Sequence, residues 1–143
     1  MFYVAKITHD SKYWDADFPD CPGCHTFADS REELRAAAQE ALEGWLEAHL
    51  IDGEAPPRPR TDWKPGRRNV MAIHVPPALA SALSIRWARQ DLGLSQAQLA
   101  KRMRVTQQAV ARLEQPDANP ELATIEKAAK ALGLNVELSF SAA

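Results

Sequence analysis

No uninterrupted apolar run in the 143-residue chain approaches the roughly 20 residues that a membrane span requires. Its start, Met1-Phe2-Tyr3-Val4-Ala5-Lys6, lacks the basic region and apolar core of a signal peptide. No membrane association is expected, and a cytoplasmic location is. Cysteine is scarce: the two residues stand in Cys21-Pro22-Gly23-Cys24. The spacing is CxxC, but redox pairs of that spacing usually open a helix after a strand, and this one falls in a turn. His25 follows directly, yet no second ligand pair accompanies it, and His9, His49 and His74 are scattered. A structural turn is the leading reading, with metal binding and redox chemistry as alternatives, and no cofactor is expected. A catalytic set is missing as well. Asp15, Asp17 and Asp20 are close together but alternate with Trp14, Ala16 and Phe18. Such an acidic strand face suits a basic partner better than a metal-dependent hydrolase, so the chain is not expected to be an enzyme.

What the sequence does have is segregated charge. Formal net charge is −2, but residues 1–57 hold 4 Lys/Arg against 12 Asp/Glu, residues 58–77 hold 5 against 1, and residues 78–143 hold 8 against 6. An acidic half is joined through a basic connector to a mildly basic half. The second half is compatible with a nucleic-acid surface and the first would repel one. The length also accommodates two small domains of about 60 residues each, a size at which core burial is marginal and partners are common.

Phe2 to Ile7 alternates around Tyr3, Ala5 and Ile7, and Tyr13 to Phe18 follows a polar stretch, which predicts a two-stranded hairpin. His25 to Ala28 is compatible with a third strand. Asp29-Ser30-Arg31-Glu32-Glu33 is a helix start, with a capping side chain and acids where the helix dipole favours them. Apolar Leu34, Ala37, Ala38, Ala41, Leu42, Trp45, Leu46 and Leu50 then recur at helical spacing until Gly53. Ala55-Pro56-Pro57-Arg58-Pro59-Arg60 must run extended or as a loop, because three positions lack a backbone donor. Asn69 to Val75 predicts a further strand, closed by Pro76-Pro77. The expected fold class is α+β: a sheet of three to four strands under one helix in residues 1–77, with a connector over 54–68, then a helical domain in residues 78–143.

In the second half, Ala78 to Gln90 predicts a first helix. Ser95 caps a second, Gln96 to Met103, and Arg104-Val105 makes a turn. Thr106 caps a third helix through Leu113, and Glu121 to Leu132 forms a fourth. Asn135-Val136-Glu137-Leu138-Ser139-Phe140 alternates like a short strand with Val136, Leu138 and Phe140 on one side. An edge of that kind invites pairing with a second copy, which makes these three residues the expected dimerisation element.

Two capped helices about eight residues long with a short turn between them, small Ala100 at their crossing and Val105, Val110 and Leu113 completing a core, fit a helix-turn-helix built for double-stranded DNA. Repeated Gln on the third helix adds to this, because a Gln amide pairs bidentately with adenine in the major groove. The segment Gly93-Leu94-Ser95-Gln96-Ala97-Gln98-Leu99-Ala100 through Arg104-Val105-Thr106-Gln107-Gln108-Ala109-Val110-Ala111-Arg112-Leu113-Glu114 closely resembles the phage-repressor-like (XRE-type) helix-turn-helix family over roughly residues 82–134. The resemblance implies that Gln96 contacts phosphate and braces Gln107, that Thr106, Gln107 and Gln108 face base edges, and that Arg112 reaches a base or phosphate. It gives Glu114 a structural role. Lys101, Arg102 and Arg104 are expected on phosphates, while Arg86 and Arg89 divide evenly between phosphate contact and plain surface. The small net charge implies weak binding by one copy, so a dimer reading a two-fold repeat is expected.

The N-terminal half, from Tyr3-Val4-Ala5-Lys6-Ile7 through Phe18-Pro19-Asp20-Cys21-Pro22-Gly23-Cys24 to the Ala-rich helix ending Gly44-Trp45-Leu46-Glu47, resembles the HicB antitoxin family. Family members commonly carry Leu at the position of Cys21, which argues against an essential cysteine pair. The resemblance implies a partial ribonuclease-H-like sheet and helix without that nuclease's active site. It also implies two roles: masking a small basic toxin, HicA, that degrades messenger RNA, and repressing the shared operon through operator DNA, as a homodimer or homotetramer. Asp15, Asp17, Glu32 and Glu33 are the expected toxin contacts on the ground of charge. The competing reading is a stand-alone repressor whose N-terminal domain senses a small ligand or only oligomerises.

Overall fold

The computed structural model describes residues 1–62 and 68–142. The chain forms two compact units, Met1–Pro76 and Pro77–Ala143.

In the first unit, β1 (Phe2–His9), β2 (Trp14–Asp17), β3 (His25–Ala28) and β4 (Val70–His74) form one sheet in the order β3-β2-β1-β4, every neighbouring pair antiparallel. The β1–β2 hairpin closes on Asp10, whose carboxylate accepts from the backbone N–H groups of Lys12 and Tyr13 at 2.7 and 2.8 Å. Those bonds, Tyr13's first and Lys12's second, hold the Asp10 carboxyl below the usual carboxylate range. The register pairs Tyr3 with Ile73, Ala5 with Met71 and Ile7 with Ala16. All six are buried on one face, as the period of two requires. Helix α1 (Arg31–Ile51), capped by Ser30, covers that face with buried Leu34, Ala38, Leu42, Leu46 and Leu50, one residue per turn.

The two sheet edges are treated differently. Along β4, Arg35 of α1 donates to the carbonyl of Ala72 and Gln39 to that of His74, while Arg31 donates to that of Arg68 just before the strand. One helical turn, about 5.4 Å, is close to the two-residue repeat of a strand, so a row of α1 side chains shields this edge. Among the described residues no such row lies along β3.

Phe18-Pro19-Asp20-Cys21-Pro22-Gly23-Cys24 forms the two turns that the sequence requires: Cys21 N–H donates to Phe18 and Cys24 N–H to Cys21, both at 2.9 Å, and Gly23 takes φ +83°. Asp20 has a structural partner, since its carboxylate pairs with the Arg60 side chain at 2.6 Å and accepts from the Arg60 backbone. Tyr3 Oη donates to the Pro57 carbonyl at 2.7 Å. The connector is thus fastened to its own unit over Pro57–Arg60; Lys64 and Arg67 of the same basic stretch lie outside the described residues.

Both thiols are free and buried. Burial, then Cys24 and Asp20, pushes the Cys21 thiol up to about 12, and burial, then Asp17, pushes Cys24 up to about 11. Buried, protonated thiols are poor nucleophiles and poor ligands, which favours the structural-turn reading of the pair. Because the folded pKa values lie above the ordinary thiol value, the thiols' contribution to stability is whole below pH 9 and is lost as pH rises from there towards 12. A chromogenic disulfide reagent at pH 8 should label neither cysteine until urea unfolds the protein; labelling at the rate of a free peptide thiol in native buffer would refute this burial.

The second unit comprises α2 (Pro77–Asp91), α3 (Gln96–Met103), α4 (Gln107–Leu113) and α5 (Leu122–Ala131). Pro77 opens α2 at the first helical position, where a missing donor costs nothing. Ile85, Leu99, Ala100, Met103, Val110, Leu113, Ala128 and Leu132 form the core, with Val105 packed against it. The expected C-terminal strand does not form: residues 135–140 have no ladder partner among the described residues, and a strand cannot exist without one. Among the described residues no helix is long and apolar enough to cross a membrane.

Candidate nucleic-acid interface

Ser95 caps α3 in a reciprocal box: its hydroxyl accepts from Gln98 N–H at 3.1 Å while the Gln98 side chain accepts from Ser95 N–H at 2.8 Å. Thr106 caps α4 by accepting from Ala109 N–H at 3.2 Å. Between them Arg104 is the single described non-glycine residue with positive φ, at φ 56° and ψ 46°. This left-handed residue ends α3 and turns the chain into α4.

A fixed platform results. Val110 and Leu113 are buried, and the opposite side of α4 exposes Gln107, Gln108 and Arg112 beside the exposed cap Thr106. The structure therefore gathers Thr106, Gln107, Gln108 and Arg112 on one short helix, with Lys101 and Arg104 exposed at the turn that precedes it. Arg102 is exposed but leans elsewhere, donating to the Ala131 carbonyl at the end of α5. Gln96 is half-buried, and its amide donates to Glu114 at 3.2 Å, not to Gln107.

Glu114 is the anchor of the platform. It is 0% exposed and accepts from Arg86 Nε at 3.1 Å, from Arg89 Nε and Nη2, and from Gln96. Arg86 also donates to the Glu114 carbonyl and Arg89 to the Leu94 carbonyl. The hydrogen bonds that Arg89 donates to Glu114 raise the Arg89 pKa, so its charge is held. This corrects the expectation for Arg86 and Arg89: neither is a surface or phosphate group, because both are committed to a carboxylate 25 to 28 residues away. That separation also explains why local sequence patterns did not reveal the pairing.

Arg104 permits a separation of charge from backbone effects. Arg104→Gly should raise stability by about 0.5–1 kcal/mol by relieving the left-handed conformation. It should also lower DNA affinity and shrink the salt slope by about 0.9 if the side chain holds one phosphate. Thermal melts and binding isotherms at several salt concentrations measure the two effects separately.

In the first unit, Asp15 and Asp17 share the sheet face opposite α1, in register with Phe27 and His25. Glu32 and Glu33 lie in the first turn of α1, on the helix that covers the other face. The structure thus brings the two aspartates together but does not join them to the two glutamates. It adds one residue: Phe27, 62% exposed, stacks edge-on against Tyr13 at 5.4 Å beside Asp15. The alternation of small Thr26 and Ala28 with His25 and Phe27 was the available signal. Among the described residues, no three His, Cys, Asp or Glu side chains are placed to hold a metal ion.

Residues 3–63 match the family described as HicB-like antitoxin of bacterial toxin-antitoxin systems, and residues 85–138 match a helix-turn-helix family. Across 138 residues, 96% of this chain and 95% of the relative, the chain is 30% identical to Antitoxin HicB 2 of Photorhabdus laumondii subsp. laumondii. It is 34% identical to Antitoxin HicB 1 of the same organism over 123 residues, 86% of this chain and 76% of the relative.

Proposed function

Because the chain belongs to the HicB antitoxin family, we propose that it neutralises a HicA-like, messenger-RNA-cleaving toxin and represses the toxin-antitoxin operon by binding a palindromic operator. Residues 1–77 take the toxin and residues 78–143 take DNA and a second copy, giving a homodimer or homotetramer. The observation that carries this reading is the joining, in one chain, of an acidic sheet-and-helix unit to a helix-turn-helix that exposes Thr106, Gln107, Gln108 and Arg112 on a buried, charge-anchored platform. The first unit's balance of charge suits a surface evolved to hold RNA, and it would keep that unit itself away from DNA.

On this reading Gln107 and Gln108 pair with base edges, Thr106 assists them, and Arg112, Lys101, Arg104, Gln96 and Arg102 position the duplex through phosphates. Arg102 would have to leave Ala131 to do so. Asp15 and Asp17, with Phe27 opposite Asp15 on the neighbouring strand, are the favoured side of the toxin contact, and Glu32 and Glu33 form a second acidic patch.

Two measurements on the full chain test the reading. Co-purification with the short basic product of an adjacent gene is expected, as is protection of a two-fold repeat in the promoter upstream of the pair. Operator protection without co-purification would leave a repressor whose N-terminal unit serves another ligand, and failure of both would overturn the reading. Asp15→Lys with Asp17→Lys should slow toxin association by about tenfold at low salt and much less at high salt, with operator affinity unchanged. Stopped-flow association at two ionic strengths measures this.

A further inference from the structure

Four of the exposed large apolar side chains of the chain fall together at its C-terminal end: Leu122 on α5, and Leu134, Leu138 and Phe140 in the segment that follows. Leu122, Glu126 and Lys130 of α5, with Leu134, Asn135, Val136 and Leu138, enclose an open groove of about 300 Å³. A cavity of about 150 Å³ accommodates a benzene ring, so the groove has room for a phenyl group and part of a neighbouring aliphatic side chain. Phe140, two residues beyond the last lining residue, is 100% exposed and does not fill it.

We propose that the groove receives Phe140 of a second copy of this chain, reciprocally, while the two 135–140 segments pair as antiparallel strands about the two-fold axis. The proposal rests on the dimeric DNA-binding reading above and specifies the surface that completes it. The occupant is identified by three features of the chain. The alternating segment carries a strand pattern that its own unit leaves unpaired. Groove and phenyl ring are both present on every copy, which is the requirement for an isologous two-fold contact. The rim offers Lys130, held by Glu126 at 3.1 Å, to the acidic Glu137 that accompanies an incoming segment.

The contact also has a consequence for DNA reading. Helix α5 and the residue that caps its end contribute Ala128 and Leu132 to the same core that α3 and α4 enter. Joining two copies through α5 therefore fixes the separation of the two α4 helices, and operator half-sites about 34–36 Å apart are the geometry such a dimer serves.

The test uses the full-length protein. Sedimentation should show a dimer whose dissociation constant rises at least about 30-fold in Phe140→Asp, the loss of one buried aromatic anchor. Thermal stability of the dilute monomer should not move, because Phe140 takes no part in its core. A second arm mixes Leu122→Cys protein with Phe140→Cys protein and adds a short bis-maleimide at neutral pH, where the buried, protonated Cys21 and Cys24 stay silent. The mixture should yield cross-linked dimer and neither variant alone should. An unchanged dimer in Phe140→Asp, or a mixture that gives no cross-link, overturns the proposal. Either result together with intact toxin neutralisation and operator binding overturns the groove alone, whereas a cross-linked dimer that binds no operator overturns the functional reading and leaves the groove.

Discussion

Glu114→Ala should be the most damaging single change in the second unit, lowering stability by about 3–5 kcal/mol and the melting temperature by at least ~10 °C. The cause is specific. Arg86 is 2% exposed; its Nε donates to the Glu114 carboxylate, and its Nη2 donates to the Glu114 carbonyl, a bond that the substitution keeps. Removing the carboxylate takes from this buried guanidinium the counter-charge that its Nε meets at 3.1 Å, and Arg89 loses its bidentate partner. Arg86→Met in the same background should recover part of the loss, since an apolar chain of similar length has no charge to strand. If Glu114→Ala costs under 1 kcal/mol, or Arg86→Met deepens the loss, the carboxylate is not what holds α2 and α4 together.

The second large effect is on recognition. Gln107→Ala combined with Gln108→Ala should weaken specific operator binding by about 2–6 kcal/mol, roughly 30- to 25,000-fold, at about one to three kcal/mol for each of two well-formed base contacts. Both side chains are exposed and neither caps nor packs, so the melting temperature should stay within about 1 °C. Binding to unrelated DNA should change little, because phosphate contacts supply most of the non-specific affinity. Equal losses on operator and unrelated DNA would mean that α4 touches the backbone and reads nothing.

These two predictions differ in how far the sequence alone supports them. The reading helix was legible because its determinants are local: Ser95 and Thr106 as caps, the apolar positions Leu99, Val110 and Leu113, and a three-residue turn. Both helices end within a residue of where caps and periodicity place them. The strands of the first unit were legible for the same reason, each being an alternation bounded by polar or proline-rich turns. The Arg86–Glu114–Arg89 cluster was not, because nothing in a local window says which charges meet across 25 to 28 residues. The same holds for Asp20 with Arg60 and for the α1 side chains that shield the β4 edge.

The misplaced element is equally instructive. Val136, Leu138 and Phe140 alternate as a strand should, but alternation states only which side would be buried. Whether a ladder forms depends on a partner, and the described residues hold none for this segment. A pattern that is strand-like and unpaired in one copy is what a two-copy interface leaves visible in the sequence.

The central claim, that the chain masks a ribonuclease toxin, is tested most directly by titrating purified full-length protein into messenger-RNA cleavage by the small basic product of the adjacent gene. Cleavage is expected to fall linearly and stop at a stoichiometric ratio, and the Asp15→Lys, Asp17→Lys variant should need more protein or more time to reach the same end. Cleavage that continues unchanged at a molar excess of wild-type protein would contradict the account and leave a DNA-binding protein whose acidic unit serves something else.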